Sequence, residues 1–312
     1  MIVKNKIIGH RGASMFAPEN STSSLDVASS MGLEWIETDV QITLDNELVI
    51  FHDEKLDRTS NGEGFLALKK LSELKKLDIG NWFSKEFTGE KILTLVEFLD
   101  LIKKYEFCLQ LEIKHMHGKE AEIVDEIVNQ IQPYLDYFEG KLFVSGFSEK
   151  CLRLFSKKLP QIPLALALSF VPKNPDLLSS EVGVDILHFG DEFVDDASLK
   201  RLKNSKTEFA VATVNDKKRA EYLLSNGVQS ILSGSGSSFG EIQYIKENYE
   251  LENDSEIFTS GSGGIFRSGI PIGKTIADEN IDFDTIKVKF HSDFSQLRLV
   301  KIVSFEEVKQ ND

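Results

Sequence analysis

Cysteine is scarce in this chain of 312 residues: only Cys108 and Cys151 occur. They fall in different predicted elements and lack metal-ligand spacing, so no disulfide framework or cysteine metal centre is expected, and they read as buried thiols in a reducing compartment. Basic charge is also short, with 36 Lys and Arg against 50 Asp and Glu and a formal net charge of -14. Nucleic-acid binding needs clustered cations to displace counterions along phosphates, and this balance excludes it. An anionic substrate must then be held by local positive charge or by a cation. Long apolar runs are missing too. Nothing approaches the roughly 20 residues of a spanning helix, and the opening MIVKNKIIGH is too short an apolar run for a signal peptide. A cytoplasmic protein with no transmembrane segment is expected.

What is present is globular. Hydrophobic residues make up 41% and charged residues 28%, and 22 phenylalanines point to a bulky aromatic interior. Short apolar runs alternate with amphipathic segments, the pattern of a parallel sheet covered by helices. Eight strands are predicted, at 6–9, 35–42, 107–113, 142–145, 163–169, 186–189, 209–214 and 230–232. Helical patterns lie between them at 21–31, 95–105, 119–135, 149–158, after Asn174, at 195–204 and at 216–226, the last closed by Gly227 as a left-handed cap. An extra strand is expected at 48–52, and 54–92 reads as an insertion with an Asn61-Gly62 turn and a helical stretch near 71–77. This is an α/β chain. The fold expected is a TIM (β/α)8 barrel over 1–240 with a small insertion after its second strand. A Ser/Gly-rich stretch at 233–240 precedes a charged, helix-like linker at 241–255. Residues 256–312 follow as a small β domain, signalled by the alternation of Ile286, Val288 and Phe290.

In the run Trp35-Ile36-Glu37-Thr38-Asp39-Val40, strand alternation puts Glu37 and Asp39 on one face. Phe107 to Lys114 repeats the pattern and adds Glu112, with Gln110 and Lys114 on the same face. Like charges that close disfavour joint ionisation unless a cation or protons neutralise them. Hard oxygen donors suit Mg2+ or Ca2+ better than zinc. On spacing alone Glu37 and Asp39 could equally decorate an exposed edge strand. His10 and His52, however, both stand at the C-terminal ends of predicted strands, where two imidazoles can share opposite proton tasks. Arg11 can fork onto phosphate oxygens and Lys114 supplies a compact positive charge, so the set outlines a phosphate site. His115, His117, His188 and His291 are read as structural, and Gly62 and Gly64 as plain turn glycines.

The segments His10-Arg11-Gly12-Ala13, Ala17-Pro18-Glu19-Asn20-Ser21, Glu37-Thr38-Asp39, Phe51-His52-Asp53 and Leu56-Asp57-Arg58-Thr59 together resemble the N-terminal signature of the glycerophosphodiester phosphodiesterases. The stretch from Leu77 to Phe83 resembles that family's small insertion, and Leu111-Glu112-Ile113-Lys114 its third-strand motif. The resemblance runs from about Lys6 to Gly234. It implies metal-dependent hydrolysis of glycerophosphodiesters, such as glycerophosphocholine or glycerophosphoethanolamine, to glycerol 3-phosphate and an alcohol. It further implies that His10 and His52 are general acid and base, that Glu37, Asp39 and Glu112 bind the divalent cation, and that Arg11 and Lys114 hold phosphate. Asn20 becomes a supporting site residue, with Glu19 beside it orienting the loop or meeting only water.

Departures cluster late. Ala212 stands where the family usually has Trp, Ser233-Gly234 replaces Thr-Asp, and Ser21 replaces a Thr. Two rivals follow from these and from the tail. One is a catalytically weakened barrel that serves as scaffold for an interaction tail. The other is a lysophospholipase D, which needs an apolar groove or membrane face that no amphipathic segment of the sequence announces. The tail itself, from about Glu256 to Phe305, resembles the end of the cell-shape protein MreC. That implies self-association or a protein partner; a plain β appendage fits the residues equally.

Overall fold

A computed structural model describes residues 7–234, 239–242, 256–258, 271–276 and 286–290. Nine strands form the first sheet: β1 (Ile7–His10), β2 (Trp35–Ile42), β3 (Leu48–Ile50), β4 (Cys108–Ile113), β5 (Leu142–Gly146), β6 (Leu164–Leu168), β7 (Ile186–Gly190), β8 (Glu208–Ala212) and β9 (Ser230–Ser233). Eight of them are parallel neighbours in the order β1-β9-β8-β7-β6-β5-β4-β2, and β1 pairs back onto β2, which closes a TIM barrel. Strand β3 pairs antiparallel with β2, Val40 facing Ile50, and is the extra strand expected after the second one. All eight predicted barrel strands are found, with ends shifted by one or two residues.

The helices are α1 (Thr22–Ser30), α2 (Leu71–Leu74), α3 (Leu95–Lys104), α4 (Glu120–Ile131), α5 (Glu149–Lys158), α6 (Pro175–Val182), α7 (Asp196–Lys203) and α8 (Lys217–Ser225). Their starts are set locally. Ser21 and Thr94 close capping boxes at α1 and α3, and Ser148, Asn174, Asp195 and Asp216 accept from first-turn backbone N–H groups at α5 to α8. Gly227, φ 98°, ends the last helix in the left-handed conformation expected of it. Helix α2 is shorter than the stretch predicted near 71–77, its turn passing into a loop after Leu74.

Inside the barrel, strand alternation produces layers. The lowest is apolar and takes one residue from each barrel strand: Ile8, Trp35, Cys108, Phe143, Ala165, Ile186, Ala210 and Leu232. Trp35 and Phe143 lie against each other at 5.6 Å. Two residues further along each strand the same alternation brings in His10, Glu37, Gln110, Ser145 and His188, all buried. The barrel is thus plugged with hydrocarbon below and lined with polar groups above. Those groups stand toward the C-terminal ends of the strands. The outer strand faces pack on the helices in one large apolar cluster, to which Leu109, Leu111, Phe98 and Ile123 belong. The insertion carries a core of its own, built from Val49, Phe51, Leu56, Leu66, Leu74, Ile79 and Ile92.

The chain divides into two compact units, 1–235 and 236–312. In the second, β10 (Phe239–Ile242), β11 (Glu256–Phe258), β12 (Pro271–Ile276) and β13 (Ile286–Phe290) form an antiparallel sheet in the order β10-β13-β12-β11. The alternating run at 286–290 is a strand, as expected. Strand β10 includes Glu241 and Ile242, the first two residues of the stretch read as helix-like; residues 243–255 lie outside the described ones, as does His291. Among the described residues, no helix is long and apolar enough to cross a membrane.

Candidate active site

Parallel pairing sets the register of the acidic residues. His10 on β1 lies beside Glu37 on β2, and Asp39 on β2 lies beside Glu112 on β4. Carboxylate oxygens of Glu37, Asp39 and Glu112 fall within 4.8 Å of one another, and all three residues are buried. The edge-strand alternative for Glu37 and Asp39 is therefore overturned: each is 1% exposed, inside a closed barrel.

The loop after β1 is bent to serve this cluster. Arg11 and Asn20 both take the left-handed conformation, φ 56° and 57°, which is uncommon for residues other than glycine. The bend turns the Arg11 backbone N–H onto Glu37 Oε2 at 2.9 Å. Gly12 follows at φ 83°, with Ser24 so near that an added Cβ would lie 2.3 Å from its Oγ. Asn20 is fixed at both ends of its amide. Its Nδ2 donates to Asp39 Oδ2 at 3.0 Å, and its Oδ1 accepts from Thr38 Oγ1 at 2.8 Å.

Electrostatics divide the acids. Burial, then Asp39 and Glu112 beside it, push the Glu37 carboxyl well above its ordinary range. Burial acts on Asp39 in the same direction, but Lys114, then His52 and Arg11, override it and hold that carboxyl far below. Lys114 Nζ lies 2.9 Å from Asp39 Oδ1 and also closes onto Glu112 Oε1, so its ammonium sits between two acids. The contact with Asp39 is an ion pair not aligned as a hydrogen bond, which leaves that buried oxygen without a hydrogen-bond partner. Three hard oxygen donors gathered in one buried cluster, with Asp39 Oδ1 lacking a hydrogen-bond partner, fit a divalent cation of the Mg2+ or Ca2+ kind.

The histidines frame the cluster. His10 Nε2 is 3.9 Å from Glu37 Oε2. Burial, and after it Arg11, hold the His10 ring well below its ordinary pKa. His52 follows β3, where Phe51 N–H donates to the Asp39 carbonyl at 3.0 Å. Its Nδ1 is 2.6 Å from Asp53 Oδ1, a contact that makes Nδ1 the donor and turns Nε2 outward from Asp53. Arg11 Nη1 donates to Glu19 at 3.0 Å, and its Nε stands 3.6 Å from Asp39.

All eight residues singled out in the sequence thus gather at one end of the barrel. Two features were not foreseen. Glu19, Asp53 and Arg58 join into one ionic network beside the histidine and arginine, though Glu19 had only a loop role and Arg58 none. His188, read as structural, is buried in the polar layer 3.4 Å from Gln110 Nε2, and burial pushes it down to about 4. One late departure has a steric reason: a Cβ at Gly234 would lie 2.6 Å from the His10 carbonyl oxygen, so an Asp has no room there. Ala212, the other, packs against the apolar layer inside the barrel.

Known proteins resemble this chain over most of its barrel. Residues 10–234 match the Glycerophosphoryl diester phosphodiesterase family. Residues 202–304 match the Rod shape-determining protein MreC, barrel core. A glycerophosphodiester phosphodiesterase of Caldanaerobacter subterraneus subsp. tengcongensis is 32% identical over 231 residues, covering 74% of this chain and 94% of that protein. One from Bacillus altitudinis is 30% identical over 231 residues, covering 73% and 94%. Among solved structures, an Oleispira antarctica phosphodiesterase in complex with the product sn-glycerol-3-phosphate superposes with a TM-score of 0.69 at 31% identity, covering 73% of this chain and 92% of that one.

Proposed function

The chain belongs to the glycerophosphoryl diester phosphodiesterase family, matched from residue 10 to 234, and on that premise we propose that it hydrolyses glycerophosphodiesters to glycerol 3-phosphate and an alcohol at the end of its barrel. One observation carries the reading: three buried acids on β2 and β4 share a cluster 4.8 Å across, framed by two histidines. The product named in the related Oleispira structure supports it.

Glu37, Asp39 and Glu112 would hold the divalent cation, which when bound would draw charge from the phosphoryl oxygens and glycerol hydroxyls. Arg11 supplies a forked donor for the phosphate, and Lys114 a point charge. His10, beside Glu37 at the strand end, takes the proton of the attacking oxygen. His52, whose Nδ1 is engaged by Asp53 so that Nε2 is left for the substrate, gives a proton to the departing alcohol. Asn20 keeps Asp39 oriented. Incubation of the purified chain with glycerophosphocholine and Mg2+ or Ca2+, followed by phosphorus NMR, tests this: glycerol 3-phosphate should accumulate, and E37A should abolish it. Undiminished turnover by E37A at saturating cation defeats the proposal.

A second reading has one observation in its favour. Phe147, Phe170 and Phe193 follow the adjacent strands β5, β6 and β7 at the site's end of the barrel, and they are 53%, 59% and 40% exposed. Exposed aromatic rings after three neighbouring strands would suit a phosphodiester with an acyl chain, hence a lysophospholipase D. Faster release of choline from lysophosphatidylcholine than from glycerophosphocholine would favour it. For 236–312, the MreC match supports a self-association or protein-binding role, tested by sedimentation with and without those residues.

A further inference from the structure

The groups that handle proton and phosphate come from loops distant in sequence, yet one side chain joins them. Arg58, in the insertion after β3, donates from Nη1 and Nη2 to the two carboxylate oxygens of Glu19 at 2.8 and 2.7 Å. From Nε and Nη2 it donates to the two oxygens of Asp53 at 2.7 and 2.9 Å. Each carboxylate then meets a working residue. Asp53 Oδ1 is 2.6 Å from His52 Nδ1, and Glu19 Oε1 accepts from Arg11 Nη1 at 3.0 Å. An unbroken path runs His52, Asp53, Arg58, Glu19, Arg11.

We propose that Arg58 is a positioning residue that sets His52 through Asp53 and Arg11 through Glu19, locking the acid and the phosphate-binding group into one register. The inference rests on the roles of His52 and Arg11 given above. Only a planar guanidinium, with N–H groups spread around its rim, can fork onto two carboxylates at once; a lysine ammonium at the same place cannot. Glu19 is buried and shared between two arginines, so it holds the Arg11 guanidinium in place while Arg58 fixes both Glu19 oxygens. Remove Arg58 and Glu19 is left to Arg11 alone, while Asp53 loses the fork that aims it at His52. Binding and turnover should both suffer, by separate arms.

The arms separate in kinetics. In the full chain with glycerophosphocholine and saturating Mg2+ or Ca2+, D53N should lower kcat with little change in KM, and E19Q should raise KM. R58A should do both, and the R58A/D53N pair should lose no more kcat than R58A alone, because the two act on one path. R58K should not restore either constant, whereas added guanidinium should recover part of the activity of R58A. Nitrogen NMR of the resting protein supplies a readout that needs no turnover: His52 should be protonated at Nδ1 in the parent and lose that preference in R58A. If R58A does not fold, R58K and D53N decide on the same terms. Parental kcat, KM and His52 spectrum in folded R58A or R58K overturn the proposal, as do losses in R58A and D53N that simply multiply. An inactive parent refutes the reaction instead, and the His52 spectrum still decides the tie.

Discussion

Lys114 Nζ and Asp39 Oδ1 lie 2.9 Å apart in the middle of the acid cluster, and the same ammonium closes onto Glu112. A positive charge of the chain itself therefore already offsets part of the cluster.

From this pairing, K114M should destabilise the metal-free protein by about 3 kcal/mol, because it leaves buried carboxylates uncompensated. For a domain of this size that is a fall of roughly 6–12 °C in melting temperature. Added Mg2+ or Ca2+ should recover more of the loss in K114M than it adds to the parent. Equal thermal shifts in the two proteins would contradict the account.

The histidine roles separate by leaving group. A p-nitrophenyl phosphodiester departs without a proton, so H52A should lose much less on it than on glycerophosphocholine, where a general acid is worth about 100- to 10,000-fold. H10A should be impaired on both. The opposite pattern would exchange the two assignments.

Acid should loosen the barrel at a place far from the chemistry. Asp176, at the start of α6, accepts from Ser205 Oγ at 2.6 Å, from the backbone of Lys206 and from Thr207, and these bonds hold it down at about 2. A carboxyl depressed on folding gives stability that is full above its unfolded pKa near 4 and is lost as pH falls toward the folded value. Denaturant midpoints of D176A and the parent should differ most near neutrality and converge between pH 4 and 2. A gap that widens in acid would refute the sign.

The loop after β1 should be intolerant of bulk. G12A puts a Cβ 2.3 Å from Ser24 Oγ in a left-handed residue, at a strain of about 1–2 kcal/mol for the conformation alone. Its melting temperature and kcat/KM should both fall, since Arg11 is the residue immediately before it.

Much of this site is legible in the sequence, because a strand's period of two puts alternate residues on one face and the histidines at the strand ends indicate which face is inward. Glu37 and Asp39, then Gln110 and Glu112, follow once the barrel is inferred, and His10 and His52 follow as strand-end residues. Arg58 is different. Its partner Glu19 lies 39 positions away, and no periodicity links two loops; only the folded insertion brings them together. The polar layer at His188 was obscured by a strand with both faces buried, where the alternation that marks an exposed sheet is absent. The exposed Phe147, Phe170 and Phe193 carry no such signal either, since they are single residues after separate strands and form no amphipathic segment.

Calorimetric titration of the metal-free chain with Mg2+ and Ca2+ tests the central claim most directly, in the parent and in E37Q, D39N and E112Q. One ion per barrel should bind the parent. Each variant should weaken it by more than the roughly 10- to 100-fold that losing a group which merely orients a ligand costs. An affinity for both cations that is the same in all four proteins would contradict it.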